Sequence, residues 1–374
     1  MLRFLFFLFA FAFSGALAFA QNKTTLAAMQ IPAYATSSTN SIAEYINNIS
    51  SNDLEKVSAI YSWVITNISY DADSTSIYNS RPQTDARITE AFRRRKGVCE
   101  NFAAIFHDIV SKCGVQSFII NGYTKQNGDV DKTGHSWNAV LINNQWLLCD
   151  PTWDAGTNKP QHFLLSPDEM IVTHIPFDPL WQLSDNIVSH NEFKDGSKIA
   201  GSRHPFMFSD SVKAFLQMNE LERLRSVAKR ISGSGITNIL IRNHLVETEM
   251  NIEIIEEERS AKLYNNCVEI LNQVTKMFNG FVELRNKRFV PEVDVKNINR
   301  LFADMNTRLQ SISKQLAELQ QIHTRVVFDT GPLLSNVNKL SERIREQHEF
   351  WLSYITTNPD VRHLLFTSAT QSKR

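Results

Sequence analysis

Between residues 97 and 150 the chain reads as one amphipathic helix followed by strands, and that order constrains the fold more than any other feature. Cys99, Phe102, Ala103, Phe106, Val110 and Cys113 recur with a 3.6-residue period, which predicts a helix with one apolar stripe. Gly114 follows, the residue type that ends helices in the left-handed conformation. Three strand-like runs come next, over 116–123, 135–142 and 145–150. Asn143-Asn144 between the last two is a two-residue hairpin signal, and 125–134 reads as a polar, turn-rich loop. A helix first and antiparallel strands after it predict an α+β domain.

The flanking sequence sets the domain plan. Arg3, the apolar run over 4–13 and Ala18-Phe19-Ala20 read as a cleaved secretory signal over 1–20, so the mature chain is expected to be secreted or periplasmic. Residues 21–40 are polar and expected to be loosely ordered. Ser51-Asn52-Asp53 starts a helix whose Leu54, Val57, Ile60, Tyr61, Val64 and Ile68 share a face. Residues 88–95 read as a short helix or turn, and 163–183 as an apolar tail packing on the same domain, 41–188. Residues 189–205, with Gly196, Gly201 and Pro205, are expected to be a linker. From 206 to 374 the chain is almost continuously helical, with Met305, Leu309, Ile312, Leu316 and Leu319 as one stripe and breaks at 232–235, Pro291 and Gly331-Pro332. That pattern predicts an antiparallel bundle or extended coiled coil.

Lys+Arg and Asp+Glu are equal at 39 each, which leaves no large basic field for nucleic acid. No later segment is apolar for long enough to span a membrane. Arg93-Arg94-Arg95-Lys96 is the local exception to the charge balance. It reads either as a solvated helix end or as positive potential beside Cys99. The four cysteines, at 99, 113, 149 and 267, contain no C-x-x-C, and no H-E-x-x-H occurs, so zinc signals are absent. The pairing of Cys113, Cys149 and Cys267 stays open, with a Cys113–Cys149 bridge as one arrangement.

Cys99, His135 and Asp150 carry the chemistry. Cys99 follows Gly97 and opens a helix, where free N–H groups and the helix dipole favour a thiolate and can hold an oxyanion. His135 begins a strand. Closing the hairpin at Asn143-Asn144 brings Asp150 towards Trp137 and His135 on the neighbouring strand. A thiol, an imidazole and an orienting carboxylate are the parts of an acyl-transfer site. Trp137 and Trp153 flank that pair; core packing is their default role, and walling a substrate groove is the other. A metal site built from Cys99, His135 and Asp150 with His107 or His174 is a weaker reading, since it matches no zinc spacing.

In Arg95-Lys96-Gly97-Val98-Cys99, His135-Ser136-Trp137-Asn138 and Cys149-Asp150-Pro151-Thr152-Trp153 the sequence resembles the transglutaminase-like superfamily of papain-type cysteine enzymes. The resemblance covers about 40–185, and its tail, with His174-Ile175-Pro176, is similar to extensions in bacterial and kyphoscoliosis-peptidase-like members. It implies a papain/transglutaminase-like core with Cys on a helix N-terminus packed against an antiparallel sheet. It also implies Cys99 as nucleophile, His135 as general base and acid, Asp150 as orienter, a thioester intermediate and no cofactor or metal. Glu100-Asn101-Phe102 departs from the small residues many relatives carry after Cys. The expected function is hydrolysis of peptide or protein amides rather than crosslinking. The alternative is a catalytically silent scaffold whose helical region, 206–374, binds a protein partner.

Overall fold

The computed structural model describes residues 31–72, 85–157, 159–196, 207–322 and 325–366. The expected signal 1–20, residues 21–30 of the loose segment and residues 197–205 of the linker lie outside them. The chain divides into two compact units, 1–249 and 250–374.

The first unit begins with α1 (Thr39–Ile49), whose Ser38 cap accepts from Ser41 N, so the last residues of the expected loose segment are ordered. Asn52 caps α2 (Asp53–Asn67) by accepting from Glu55 N, and Asp53 and Glu55 suit the positive end of the helix. β1 (Ser69–Tyr70) pairs in parallel with β2 (Lys96–Gly97), which follows α3 (Asp85–Arg94). Next come α4 (Cys99–Lys112), β3 (Ser117–Gln126), β4 (Asp129–Ile142), β5 (Gln145–Cys149), the single-turn α5 (Pro167–Met170) and β6 (His174–Pro176). The last four strands form an antiparallel sheet in the order β5-β4-β3-β6. The fold is α+β, as its element order predicts.

α4 is the central helix. Its Phe102, Ile105, Phe106, Ile109 and Val110 share one core with α1, α2 and the sheet residues Val140, Ile142, Leu147 and Cys149. Asn143 and Asn144 both take positive φ, 49° and 62°, which makes the tight turn that pairs Ile142 with Gln145. The expected loop over 125–134 is instead largely strand. Asn127 and Gly128, with φ of 53° and 92°, form a second tight turn, and Lys125 pairs with Val130.

The expected boundary at 189–205 also shifts. Ser189 caps α6 (His190–Asp195), which buries His190 and Phe193. α7 (Phe208–Gln217), α8 (Glu220–Ser234) and the first turns of α9 (Ile239–Asn286) then belong to the first unit. The reason is apolar sheet surface that α4 leaves uncovered. Val212 and Phe215 cover Ile120, Trp137 and Leu148, and Ile231, Ile241 and Leu245 cover Tyr123, Ile175 and Phe177. Arg230 clamps the buried Asp178 with two 2.7 Å bonds.

The second unit is a bundle of the remainder of α9, α10 (Val295–Leu319) and α11 (Gly331–Thr356). Asn266 meets Gln315, Gln273 meets Arg308 and Phe281 meets Phe302, so α9 and α10 run antiparallel. Asn299 bonds Trp351 and Phe302 stacks on His348, so α10 and α11 do too. The Met305–Leu319 stripe is buried throughout. All four cysteines are free thiols, so the Cys113–Cys149 bridge is not formed.

Candidate active site

Cys99 is the first residue of α4, and the short parallel bridge sets where that helix starts. Ser69 N donates to Arg95 O and Asp71 N donates to Gly97 O, both at 2.9 Å. Asp71 is buried and pairs with Arg94 at 3.1 Å and Lys96 at 3.0 Å. Arg93 pairs with Glu90, and Arg95 lies over Trp63 and Phe92 while donating to Thr36 O. The basic run is therefore engaged by local partners, and two of its cations anchor the segment ahead of Cys99. Gly97 is not needed for a left-handed φ. A Cβ there would stand 2.6 Å from Asn101 Cβ, and the Asn101 side chain must sit close because its Oδ1 accepts from Val98 N at 3.0 Å.

His135 lies on β4 opposite Gly122. The last ladder pair between β4 and β5 is Asn138 with Cys149, so Asp150 stands just past the strand, free to turn. Its Oδ1 accepts from Thr152 N at 2.9 Å and Trp153 N at 3.3 Å. Its Oδ2 accepts from His135 Nε2 at 2.6 Å and His174 Nε2 at 3.1 Å. The backbone beneath is held by Tyr61, whose hydroxyl donates to Asp154 Oδ2 at 2.6 Å and lies 2.8 Å from Asp150 O. The Cys99 side chain lies close enough to His135 to help raise its basicity. With Nε2 committed to Asp150, Nδ1 is the ring nitrogen that meets the sulfur.

The charges follow from burial and pairing. Burial disfavours imidazolium, but the charge and hydrogen bond of Asp150, with smaller contributions from Cys99, outweigh it and hold His135 up to about 10. Burial alone would raise Asp150; the charge and bond of His135 and the bond from His174 instead keep it well below the usual carboxylate range. The raised imidazole fixes the sign of a pH effect. Stability from the pair is complete below the unfolded histidine value, near 6.5, and is lost as pH rises towards 10. Urea unfolding should therefore show stability falling from pH 6.5 to 9.5. The slope should flatten in His135→Gln.

The sequence profile of the Transglutaminase-like superfamily matches residues 40–151, the stretch from α1 to just past Asp150. This part of the chain is a transglutaminase-like domain. Kyphoscoliosis peptidase of Mus musculus is 29% identical over 164 residues, covering 38% of this chain and 24% of that protein. The Homo sapiens protein is 29% identical over 163 residues, with the same two shares. The match thus spans about a quarter of the length of these relatives. The periplasmic domain of TgpA from Pseudomonas aeruginosa, a crystal structure, is 20% identical over 34% of this chain and 48% of that one, with a TM-score of 0.26.

Beside Cys99 the transglutaminase-like domain opens into a cavity of about 280 Å³. Tyr70, Phe177 and Leu240 give it apolar walls, and Lys132, Asn243 and Glu247 are among its polar lining. Neither tryptophan proposed for a groove lines it. Trp137 is 1% exposed and packs in the core with Ile120, Met170 and Leu180. Trp153 packs on the rings of His174 and His162, at 4.4 and 4.9 Å. Alternation along β4 correctly gives Trp137 the same face as His135, but the helices after residue 206 cover that face.

Sequence reasoning placed His174 with Asp150 only in the metal reading and missed it as a hydrogen-bond partner of the carboxylate; it also missed Tyr61 and Asp154 as the support beneath. Asp154 is signalled only by its place four residues after Asp150. Among the described residues, His135, Asp150 and His174 are the group whose ligand atoms lie close enough for a metal, within 4.8 Å. Both imidazole nitrogens are already hydrogen-bonded to the same Asp150 oxygen. His107 lies elsewhere on α4, beside Ser111.

Proposed function

We propose that this domain is a cysteine acyl-transfer enzyme that hydrolyses amide bonds of peptides or proteins. One observation carries the reading: a single imidazole is held on a buried carboxylate at 2.6 Å through Nε2, which leaves its other nitrogen for the nearby Cys99 thiol at the edge of a cavity. With the proton of the pair already on His135, as its raised basicity favours, the sulfur attacks the amide carbon as thiolate. The first N–H groups of α4 lie at the same helix end as the sulfur and would stabilise the oxyanion. Collapse breaks the C–N bond, the amine leaves with the proton from His135, and a thioester remains. Water then gives its proton to His135 and attacks the thioester carbon, and the acid product departs as Cys99 is restored. Asp150 keeps the ring oriented throughout. The name of the kyphoscoliosis peptidase relatives supports hydrolysis over crosslinking. The reading of residues 1–20 as a secretory signal, from the apolar run over 4–13 and Ala18-Phe19-Ala20, supports action outside the cytoplasm.

Iodoacetamide tests the thiol directly. Burial pushes Cys113 up to about 11 and raises Cys149 and Cys267 as well, so these three should react slowly at pH 7. Cys99 should be labelled at least about tenfold faster, and His135→Ala should remove the preference. Equal rates across the four thiols would count against the reading. Amide turnover that survives Cys99→Ser would rule out Cys99 chemistry.

A further inference from the structure

We propose that His174 is a positioning residue for the Cys99–His135 pair: it donates a second N–H to Asp150 Oδ2, keeps the carboxylate ionised, and thereby holds His135 in the tautomer whose Nδ1 faces Cys99. This rests on the acyl-transfer reading above. An ionised carboxylate only accepts hydrogen bonds, so both imidazoles must carry a proton on Nε2. His174 is fully buried, with 0% side-chain exposure, and burial favours its neutral form. A neutral ring with a proton on Nε2 has a bare Nδ1, and Thr173 Oγ1 stands 2.8 Å from it, placed to donate. Donation thus runs from Thr173 to His174 to Asp150 on one side and from His135 to Asp150 on the other, so the two imidazoles converge on one carboxylate oxygen.

The position is fixed from several sides. β6 pairs His174 with Thr124 of β3, Trp153 covers one side of the ring at 4.4 Å, and Trp137 meets it edge-on at 5.1 Å. With His174 in place, Asp150 receives four N–H groups, two per oxygen. Without it, Oδ2 keeps one donor, the carboxylate binds a proton more readily, and its rotation is less constrained. The other titratable groups facing this cluster are Cys99 from α4, Tyr61 from α2, and Cys149, Asp154 and His162 from β5 and the segment after it. None of them donates a hydrogen bond to Asp150 Oδ2.

The experiment is the pH profile of Cys99 alkylation by iodoacetamide in the full chain, followed by peptide mapping from pH 4 to 9, with thermal midpoints measured in parallel. In His174→Leu the acid limb should move up by at least about half a pH unit, and the plateau rate should fall about tenfold. His174→Gln, which keeps an N–H donor, should restore the limb to within a few tenths of a unit. Thr173→Val is the milder variant if the leucine does not fold, and it should shift the limb in the same direction by less. A limb unmoved in His174→Leu or Thr173→Val while the wild type labels Cys99 selectively would overturn the positioning role alone. A glutamine variant displaced as far as the leucine would also overturn it, since loss of packing would then explain both. A wild type with no selective labelling of Cys99 would overturn this inference together with the reading it rests on.

Discussion

Asp150→Asn should lower amide turnover by about three to four orders of magnitude while leaving the chain folded. The substitution conserves shape and removes charge, and Asp150 has no orientation that suits an amide. One oxygen faces the N–H groups of Thr152 and Trp153, and the other faces the Nε2 atoms of His135 and His174. An asparagine NH₂ placed on the first side opposes two backbone donors. Placed on the second it opposes two imidazole donors, and His135 can relieve the conflict only by moving its proton to Nδ1. A ring protonated there while neutral cannot accept the thiol proton. Loss of the carboxylate also removes the largest influence that raises His135, so the imidazolium is no longer stabilised. The measurement is kcat/KM on a peptide amide turned over by the wild type, with the alkylation rate of Cys99 as a second readout. A fall of less than about tenfold would mean that the carboxylate does not orient the base.

The parts of this site that the sequence reveals are those set by local periodicity. The Cys99 stripe, the Asn143-Asn144 turn and the alternation on β4 are short-range patterns, and each appears in the fold as an element of the expected kind. The second hairpin is hidden because Asn127-Gly128 is flanked by polar residues, so the turn signal has no alternating apolar run beside it. His174 is hidden for a different reason. It lies 24 residues from Asp150, and it reaches the carboxylate only because β6 adds to the far edge of the sheet. Nothing in the spacing of a three-residue strand specifies that edge. The fate of Trp137 depends on another non-local fact, that residues 207–249 return to cover the sheet. Composition marks that stretch as helical and changed in character, but helical character does not say against what a helix packs.

That edge pairing makes Gly122→Ala the substitution with the largest expected cost in stability. Gly122 lies opposite His135 on one side and Pro176 on the other. A Cβ there would stand 2.1 Å from Ile175 O, 2.5 Å from the Trp137 ring and 2.7 Å from Pro176 Cα. Two of those three atoms are backbone, and the third belongs to a tryptophan with 1% exposure, so no flexible side chain can give way. Either β6 separates from β3 or the Trp137 layer is displaced, and both disturb a close-packed core. We expect a loss of about 3 kcal/mol or more, and a thermal midpoint lower by roughly 6–12 °C for a unit of this size. Gly128→Ala is the control. It has a left-handed φ of 92°, and a Cβ there would meet no atom within 4 Å, so only backbone strain of about 1–2 kcal/mol is at stake. Because His174 sits two residues before Pro176 on β6, any folded Gly122→Ala protein should also show slower alkylation of Cys99, whereas Gly128→Ala should not. Urea unfolding followed by tryptophan fluorescence measures the first difference, and peptide mapping after iodoacetamide measures the second. A Gly122→Ala midpoint equal to that of Gly128→Ala would show that β6 can yield to a methyl group at little cost, and that the support of His174 must come from its ring contacts instead.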